Sequence, residues 1–562
     1  MHRTCPMLSR LPSSLVRNCG TLLVKYYGEK CPVMSSFMQT VHAHTSAKDG
    51  VNSGMLTSQA CSRCPFLTEN NVSVVRVKNE EIISVEDYGT GATLPKDEDE
   101  GTTTTTQHPG KEYRPEGFNA KEQFEYGKFF EKKIEEKKED HTYRIFKKVN
   151  RSATEFPFGK EYTGGEKPIT VWCSNDYLGM SRHPKVIQTV QETLSKHGSG
   201  AGGTRNISGN STMHEELESE LAKLHQKPAA LLFTSCYVAN ESTLHTLGQM
   251  LPGVHLYSDA GNHASMIHGI RTSRAPKQIY RHNDPEDLRA KLRGSQLGRP
   301  KIVAFETVHS MTGAISPVEE LCDIAHEHGA LTFVDEVHAV GLYGEHGAGV
   351  GEREGCLDKI DIVTGTLGKA FGNIGGYIAS DSALVDTVRN YASGFIFTTS
   401  LPPTVLTGAL TAIRVLASEE GRQLRARQQE NVAYIRNALK SAYLPALDTP
   451  SHIIPIHVGN PQLSTEVSNR MMNTYGHYVQ AINYPTVSKG EERLRLAPTP
   501  FHTKSMMDQF VNDLAIVWKE VGVDRFHLRQ VAKPCSAEAN SNVAEEFMEQ
   551  DFPRGIPAMV TA

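Results

Sequence analysis

Lys369 stands in the run Thr366-Leu367-Gly368-Lys369-Ala370-Phe371-Gly372, a lysine ringed by glycines. Such an amine is available to form a Schiff base, and burial beside other groups can lower its pKa enough to supply free base. Asp335 and His338 share the run Asp335-Glu336-Val337-His338. A carboxylate placed there could keep a heteroaromatic nitrogen protonated and so make the ring an electron sink. A third run, Thr234-Ser235-Cys236-Tyr237-Val238-Ala239-Asn240, offers small hydrogen-bonding groups. Each piece also has a plainer use. Asp335 suits a helix cap, His338 a satisfied core histidine, Lys369 a surface position, and the glycine-rich stretch 198–203 an ordinary loop.

Their position along the chain joins them. Short apolar runs with strand character cover residues 229–233, 301–305, 331–334, 361–363 and 377–378. Helical segments such as 213–225 and 318–328 lie between them. This alternation predicts a mainly parallel sheet covered by helices on both faces. In such sheets ligands gather at the C-terminal strand ends. Each of the three polar runs follows a strand, so a carboxylate, an imidazole and a lysine converge on one edge. That joint placement points to a pyridoxal phosphate enzyme.

Composition narrows the class further. A chain of 562 residues allows three or four domains. Fifty-nine Lys and Arg against 64 Asp and Glu leave a net charge of −5, which argues against a nucleic-acid binder. No run of about 20 apolar residues predicts a membrane-spanning helix. Ten cysteines are too sparse for a disulfide scaffold.

The front of the chain reads differently. No acidic residue precedes Glu29, while Arg3, Arg10, Arg17 and Lys25 punctuate Leu, Val and Ser. Residues 1–50 therefore read as a mitochondrial targeting segment, with an ordinary tail as the alternative. Three cysteines precede proline: Cys5, Cys31 and Cys64. With 28 prolines in 562 positions, chance gives ten cysteines about half of one such pair. A thiolate is an axial ligand that haem iron accepts, so the motifs suggest haem binding. Residues 51–117 look like linker, with a charged stretch at 96–100 and a threonine run at 102–106. Order resumes near 118. Residues 123–138 place Phe124, Phe129, Phe130 and Ile134 at near-helical spacing, which predicts an amphipathic helix packed on the main body.

Four motifs carry a family resemblance: Ser174-Asn175-Asp176-Tyr177-Leu178-Gly179, Gly202-Gly203-Thr204-Arg205, Asp335-Glu336-Val337-His338 and Thr366-Leu367-Gly368-Lys369. They resemble the α-oxoamine synthases, pyridoxal phosphate enzymes of the aspartate aminotransferase fold (fold type I) that condense an amino acid with an acyl-CoA. The match covers roughly 118–523. Two runs, 261–266 and 481–487, resemble the subgroup that joins glycine to succinyl-CoA and releases 5-aminolevulinate, CoA and CO2. The Cys-Pro tail resembles the haem regulatory motifs of animal members, and the shorter N-terminal region leans toward their erythroid form.

The resemblance implies a domain plan: an N-terminal arm at 118–170, a large cofactor-binding domain at 171–420, a small α/β domain at 421–525 and an extension at 526–562. It also implies roles. Lys369 would carry the cofactor covalently and move the glycine α-proton. Asp335 would pair with the ring nitrogen, His338 with the ring hydroxyl, and His263 would stack on the ring. Cys236, Tyr237 and Thr366 would hold the phosphate, joined by Thr398 and Thr399 across a homodimer interface, and Ser310 would line the pocket. Arg495 would grip the glycine carboxylate, with Asn175 and Thr204 at the substrate. Arg144, Ser258, Lys277 and Thr486 would contact succinyl-CoA, with Asn206 and Ile207 reaching across the dimer. No residue is assigned to a metal. Haem would act as regulator, the import machinery as partner, and the mitochondrial matrix or inner-membrane surface as location. The rivals are an α-oxoamine synthase using another acyl donor, such as acetyl-CoA, and a silent haem-sensing scaffold.

Overall fold

The computed structural model describes residues 124–531 apart from 297. Cys5, Cys31 and Cys64, the targeting segment, the linker and the chain beyond 531 lie outside the described residues.

The first helix, α1 (Tyr126–Glu139), forms where the spacing predicts it but does not pack as expected. None of its residues is buried, and Phe124, Tyr126, Phe130 and Ile134 are all exposed. Its aromatics, with Phe124 just before it, meet one another at tilted and edge-on angles instead, the Phe124 and Phe129 centroids lying 5.4 Å apart. Pairs such as Lys133–Glu136 brace the helix from its own surface. Helical spacing shows that an apolar face exists but says nothing of what covers it.

Three short strands follow: β1 (Val149–Arg151), β2 (Phe158–Glu161) and β3 (Lys167–Val171). The central sheet contains β4 (Ala229–Phe233), β5 (His255–Asp259), β6 (Lys277–Tyr280), β7 (Lys301–Glu306), β8 (Leu331–Asp335), β9 (Ile362–Thr366) and β10 (Gly376–Ser380). Their spatial order is β4-β10-β9-β8-β7-β5-β6. Only β10 runs against its neighbours. All six residues of β7 are buried, as an inner parallel strand covered on both faces requires. The helices between the strands include α2 (Pro184–His197), α3 (Thr212–Leu224), α4 (Cys236–Met250), α5 (Ala264–Ser273) and α6 (Val318–Glu327).

Beyond α7 (Pro403–Ala417) and α8 (Glu419–Ser441) the chain builds a second layer. Its strands are β11 (Ile454–His457), β12 (His477–Tyr478), β13 (Gln480–Ile482) and β14 (Arg493–Leu496). An antiparallel sheet of order β11-β14-β13 forms there, while β12 extends β1-β2-β3. With α9 (Pro461–Tyr475) and α10 (Lys504–Val521) these strands enclose an apolar cluster of their own. Trp172, Ile435, Leu494, Leu496 and Phe510 lie in it, each fully buried. The larger cluster, including Tyr177, Phe305, Val334 and Phe371, lies under the central sheet. Arg495 on β14 reaches from the second layer to the strand ends of the first.

Candidate active site

The polar edge is assembled by strand register. Asp335 ends β8 and pairs with Glu306 on one side and Thr364 on the other. Thr366 ends β9 and pairs with Gly376, which also pairs with Phe233. A Cβ at Gly376 would sit 2.2 Å from the Cys236 backbone nitrogen, so glycine lets β10 lie against the start of α4. Ser235 caps that helix by accepting from Val238 N at 3.2 Å. The first-turn amides of Cys236 and Tyr237 have no partner within the helix and, with its dipole, favour an anion.

Lys369 is presented by a turn that Thr366 holds, since the Thr366 hydroxyl donates to Gly375 O and accepts from Gly368 N. Its Nζ lies 2.9 Å from His338 Nε2. Desolvation pushes the lysine pKa down to about 8, against the opposing pull of Asp335. Desolvation also holds His338 well below its usual range, with Lys369 and Arg495 adding to the effect.

One chain of donors runs from this pair. The Tyr177 hydroxyl donates to Asn175 Oδ1 at 3.1 Å and accepts from Arg495 Nη2 at 3.0 Å. His338 Nδ1 lies 2.8 Å from that hydroxyl and 3.4 Å from Arg495 Nη2, and its Nε2 faces Lys369. Arg495 also donates Nε to Ser310 O at 2.9 Å and Nη1 to Asn175 Oδ1 at 3.1 Å. A second chain holds the carboxylate. Asp335 accepts from Asn240 Nδ2 at 2.7 Å and from Val337 N at 2.8 Å. Asn240 also donates to Ser265 Oγ, which lies 2.8 Å from His263 Nδ1. Burial lowers the His263 pKa while Asp335 pulls it upward.

Lys369, Asp335, His338, His263, Cys236, Thr366, Ser310, Asn175 and Arg495 are thus brought to one edge. Tyr237 is exposed beside His263, with ring centroids 6.4 Å apart. Arg144, Asn206, Ile207, Lys277 and Thr486 are exposed and stand outside the two chains of hydrogen bonds. Ser258 is buried and accepts from Asn262 Nδ2 at 2.9 Å. Thr204 and Thr399 bridge, and Ser400 N donates to Gly203 O, so the glycine-rich motif meets the threonine pair. Arg205, His214, Thr398 and Thr399 share a small cavity there.

Residue reading missed Tyr177, Asn240 and His452. Tyr177 and Asn240 lie inside quoted motifs, and their spacing to Asn175 and Cys236 was the available signal. His452 is fully buried with its ring against Tyr177, centroids 4.4 Å apart, and no motif marks it.

Residues 167–514 match the aminotransferase class I and II family. The erythroid-specific mitochondrial 5-aminolevulinate synthase of Opsanus tau is 62% identical over 403 residues, which is 71% of this chain and 69% of that one. The non-specific mitochondrial form from the same organism is 50% identical over 583 residues, 93% of each chain. Among solved structures, S. paucimobilis serine palmitoyltransferase with a bound PLP–myriocin aldimine aligns with a TM-score of 0.66 and 28% identity, over 71% of this chain and 100% of that one. Fold and site together define a pyridoxal phosphate enzyme of fold type I. Within that class the chain belongs to the 5-aminolevulinate synthases, acyltransferases of haem biosynthesis.

The residues present fit the cofactor. A largely desolvated lysine, an anchored carboxylate and a capped helix start that only glycine can approach meet at the strand ends. These supply an amine, a partner for a ring nitrogen and a phosphate cradle.

Proposed function

We propose that the enzyme joins glycine to succinyl-CoA, releasing CoA and CO2, with Arg495 as the glycine carboxylate anchor. The observation that carries this is the buried Arg495 guanidinium, tied through Tyr177 to the His338–Lys369 pair. A fixed cation thus stands one tyrosine and one histidine away from a reactive amine. Pyridoxal phosphate, when bound, supplies an aldehyde carbon for amine attack and a ring that withdraws electron density from the bond being broken. Asp335 would face the ring nitrogen, and Cys236, Tyr237 and Thr366 would hold the phosphate. Lys369, its pKa lowered to about 8 by desolvation, can accept the α-proton and return it, and His338 keeps its side chain in place. Ser258, Arg144, Lys277 and Thr486 would serve the CoA substrate. Turnover with succinyl-CoA against acetyl-CoA tests the reading. The expected kcat/KM favours succinyl-CoA about tenfold or more, and equal values would overturn the choice of acyl donor.

The active site belongs to a homodimer in this reading. The groups expected to cross the interface, Asn206 and Ile207 on one side and Thr398 and Thr399 on the other, adjoin one another through the Thr204–Thr399 bridge. Ile207 and Phe397 beside them are 72% and 79% exposed, apolar surface that a second subunit would cover. Mixed dimers of a Lys369→Ala chain and a Thr398→Val, Thr399→Val chain should then regain activity. One of their two sites keeps both the lysine and the threonines. Activity no higher than that of the parent homodimers would mean each subunit's site is self-contained.

For the N-terminal region we propose import into mitochondria and restraint by haem bound at Cys5, Cys31 and Cys64. Alanine at all three should leave purified activity unchanged and make mitochondrial accumulation insensitive to added haem. Surviving haem sensitivity would exclude the motifs as sensor.

A further inference from the structure

A second cluster of chemistry-bearing side chains lies on the same sheet edge, outside the two hydrogen-bond chains described above. Asp259 ends β5, His282 follows β6 and His309 follows β7. These strands are neighbours in the order β7-β5-β6 and run parallel, so their C-terminal ends open together. One donor atom from each residue lies within 4.8 Å of the others. Asp259 and His309 are buried, at 1% and 2% exposure. A Cβ at Gly261 would sit 2.7 Å from His282 Nδ1, so the backbone there makes room for the cluster.

Hydrogen bonding decides which nitrogens keep lone pairs. The Ser316 hydroxyl has one proton, and two acceptors, Glu306 O and Asn283 Oδ1, stand 2.6 Å from it. His309 Nε2, 3.1 Å from Ser316 Oγ, must therefore be the donor in that contact. A neutral imidazole has one N–H, so Nδ1 holds a lone pair, and it is buried with no hydrogen-bond partner. His282 Nδ1 faces Asp259 Oδ1 at 2.8 Å, and its Nε2 is likewise buried and unpartnered. A third orphan, Glu306 Oε1, lies 3.8 Å from His309 Nδ1.

We propose that Asp259, His282 and His309 form a binding site for a divalent cation of the zinc class. Two neutral imidazoles and one carboxylate are a donor set that zinc takes, and the carboxylate is oriented by Gly261 N and Asn283 N, which donate to its two oxygens at 2.6 and 2.9 Å. The Glu306 carboxylate or a water supplies a fourth position. A bound cation ties the ends of β5, β6 and β7 together. The loop after β7 carries Ser310, whose carbonyl fixes Arg495, so the cation steadies the substrate anchor from behind. The residues were invisible as a motif because 23 and 27 positions of sequence separate them.

The test uses the cofactor-loaded full chain, stripped of metal by a chelator and dialysed. Zinc chloride titrated by calorimetry should bind at one equivalent per chain, and cobalt in its place should give the visible absorption of a low-coordinate ion. Asp259→Asn and His309→Gln should each weaken zinc at least about tenfold. Zinc should raise the unfolding midpoint of the unaltered enzyme and not of the variants. Binding of equal strength in both variants, or none in the unaltered enzyme, overturns the site. If either variant fails to fold, X-ray absorption of the zinc-loaded native enzyme decides, and a spectrum without imidazole scattering overturns it equally.

Discussion

Replacing Lys369 by alanine should lower kcat by about 10³-fold or more and leave the fold intact. Proton transfer by a positioned side chain alone contributes on the order of 10²–10⁴, and the change also removes the covalent attachment point. The turn around Lys369 does not depend on its side chain, because the Thr366 hydroxyl holds Gly368 N and Gly375 O. Circular dichroism should therefore match the parent while steady-state turnover collapses. Near-native kcat would remove Lys369 from the mechanism. A pH series adds a readout that a purely structural lysine would not give. Desolvation holds the amine at about 8, and deprotonation makes it nucleophilic. Uptake of pyridoxal phosphate by cofactor-free protein should accordingly accelerate as pH rises through about 8. Asp335 holds that pKa up, so Asp335→Asn should shift the midpoint to lower pH.

The strands that carry the site were legible because strands covered on both faces are continuous apolar runs. Lys301–Glu306, Leu331–Asp335 and Ala229–Phe233 each bury nearly every residue. The residues that follow them were therefore placed at the ligand-bearing edge from spacing alone. His255–Asp259 and Lys277–Tyr280 were not picked out, since HLYSD and KQIY mix polar residues into short strands. Ser258 and Asp259 are buried all the same, and their partners, Asn262, His282 and Asn283, come from loops. Burial of polar residues satisfied at long range leaves no period to detect. The arm helix shows the converse: its period was readable, but its surroundings were not. Substrate anchoring was the least legible part. Arg495 meets Asn175 and Tyr177 across 320 and 318 positions, and only the family resemblance singled it out.

Arg495→Lys should raise the KM for glycine about 10- to 100-fold and change the KM for succinyl-CoA much less. Arginine presents five N–H donors in a rigid fork. All three nitrogens are engaged, by Ser310 O, Asn175 Oδ1 and the Tyr177 hydroxyl with His338 Nδ1 3.4 Å away, and these hold the guanidinium plane still. The remaining donors can take a carboxylate in fixed geometry. A lysine ammonium has three donors radiating from one point, so it cannot serve those partners and a carboxylate together. The loss of one charge-assisted hydrogen bond is worth about 1.5–3 kcal/mol, and each 1.4 kcal/mol is tenfold in affinity. A charge-conserving change also keeps the electrostatic field at Lys369 and His338 nearly constant, since both feel Arg495. The defect should consequently appear as glycine affinity more than as kcat. Steady-state kinetics with each substrate varied in turn makes the distinction. Equal increases in both KM values would show that Arg495 braces the pocket as a whole, through Ser310 and Asn175, without gripping glycine itself.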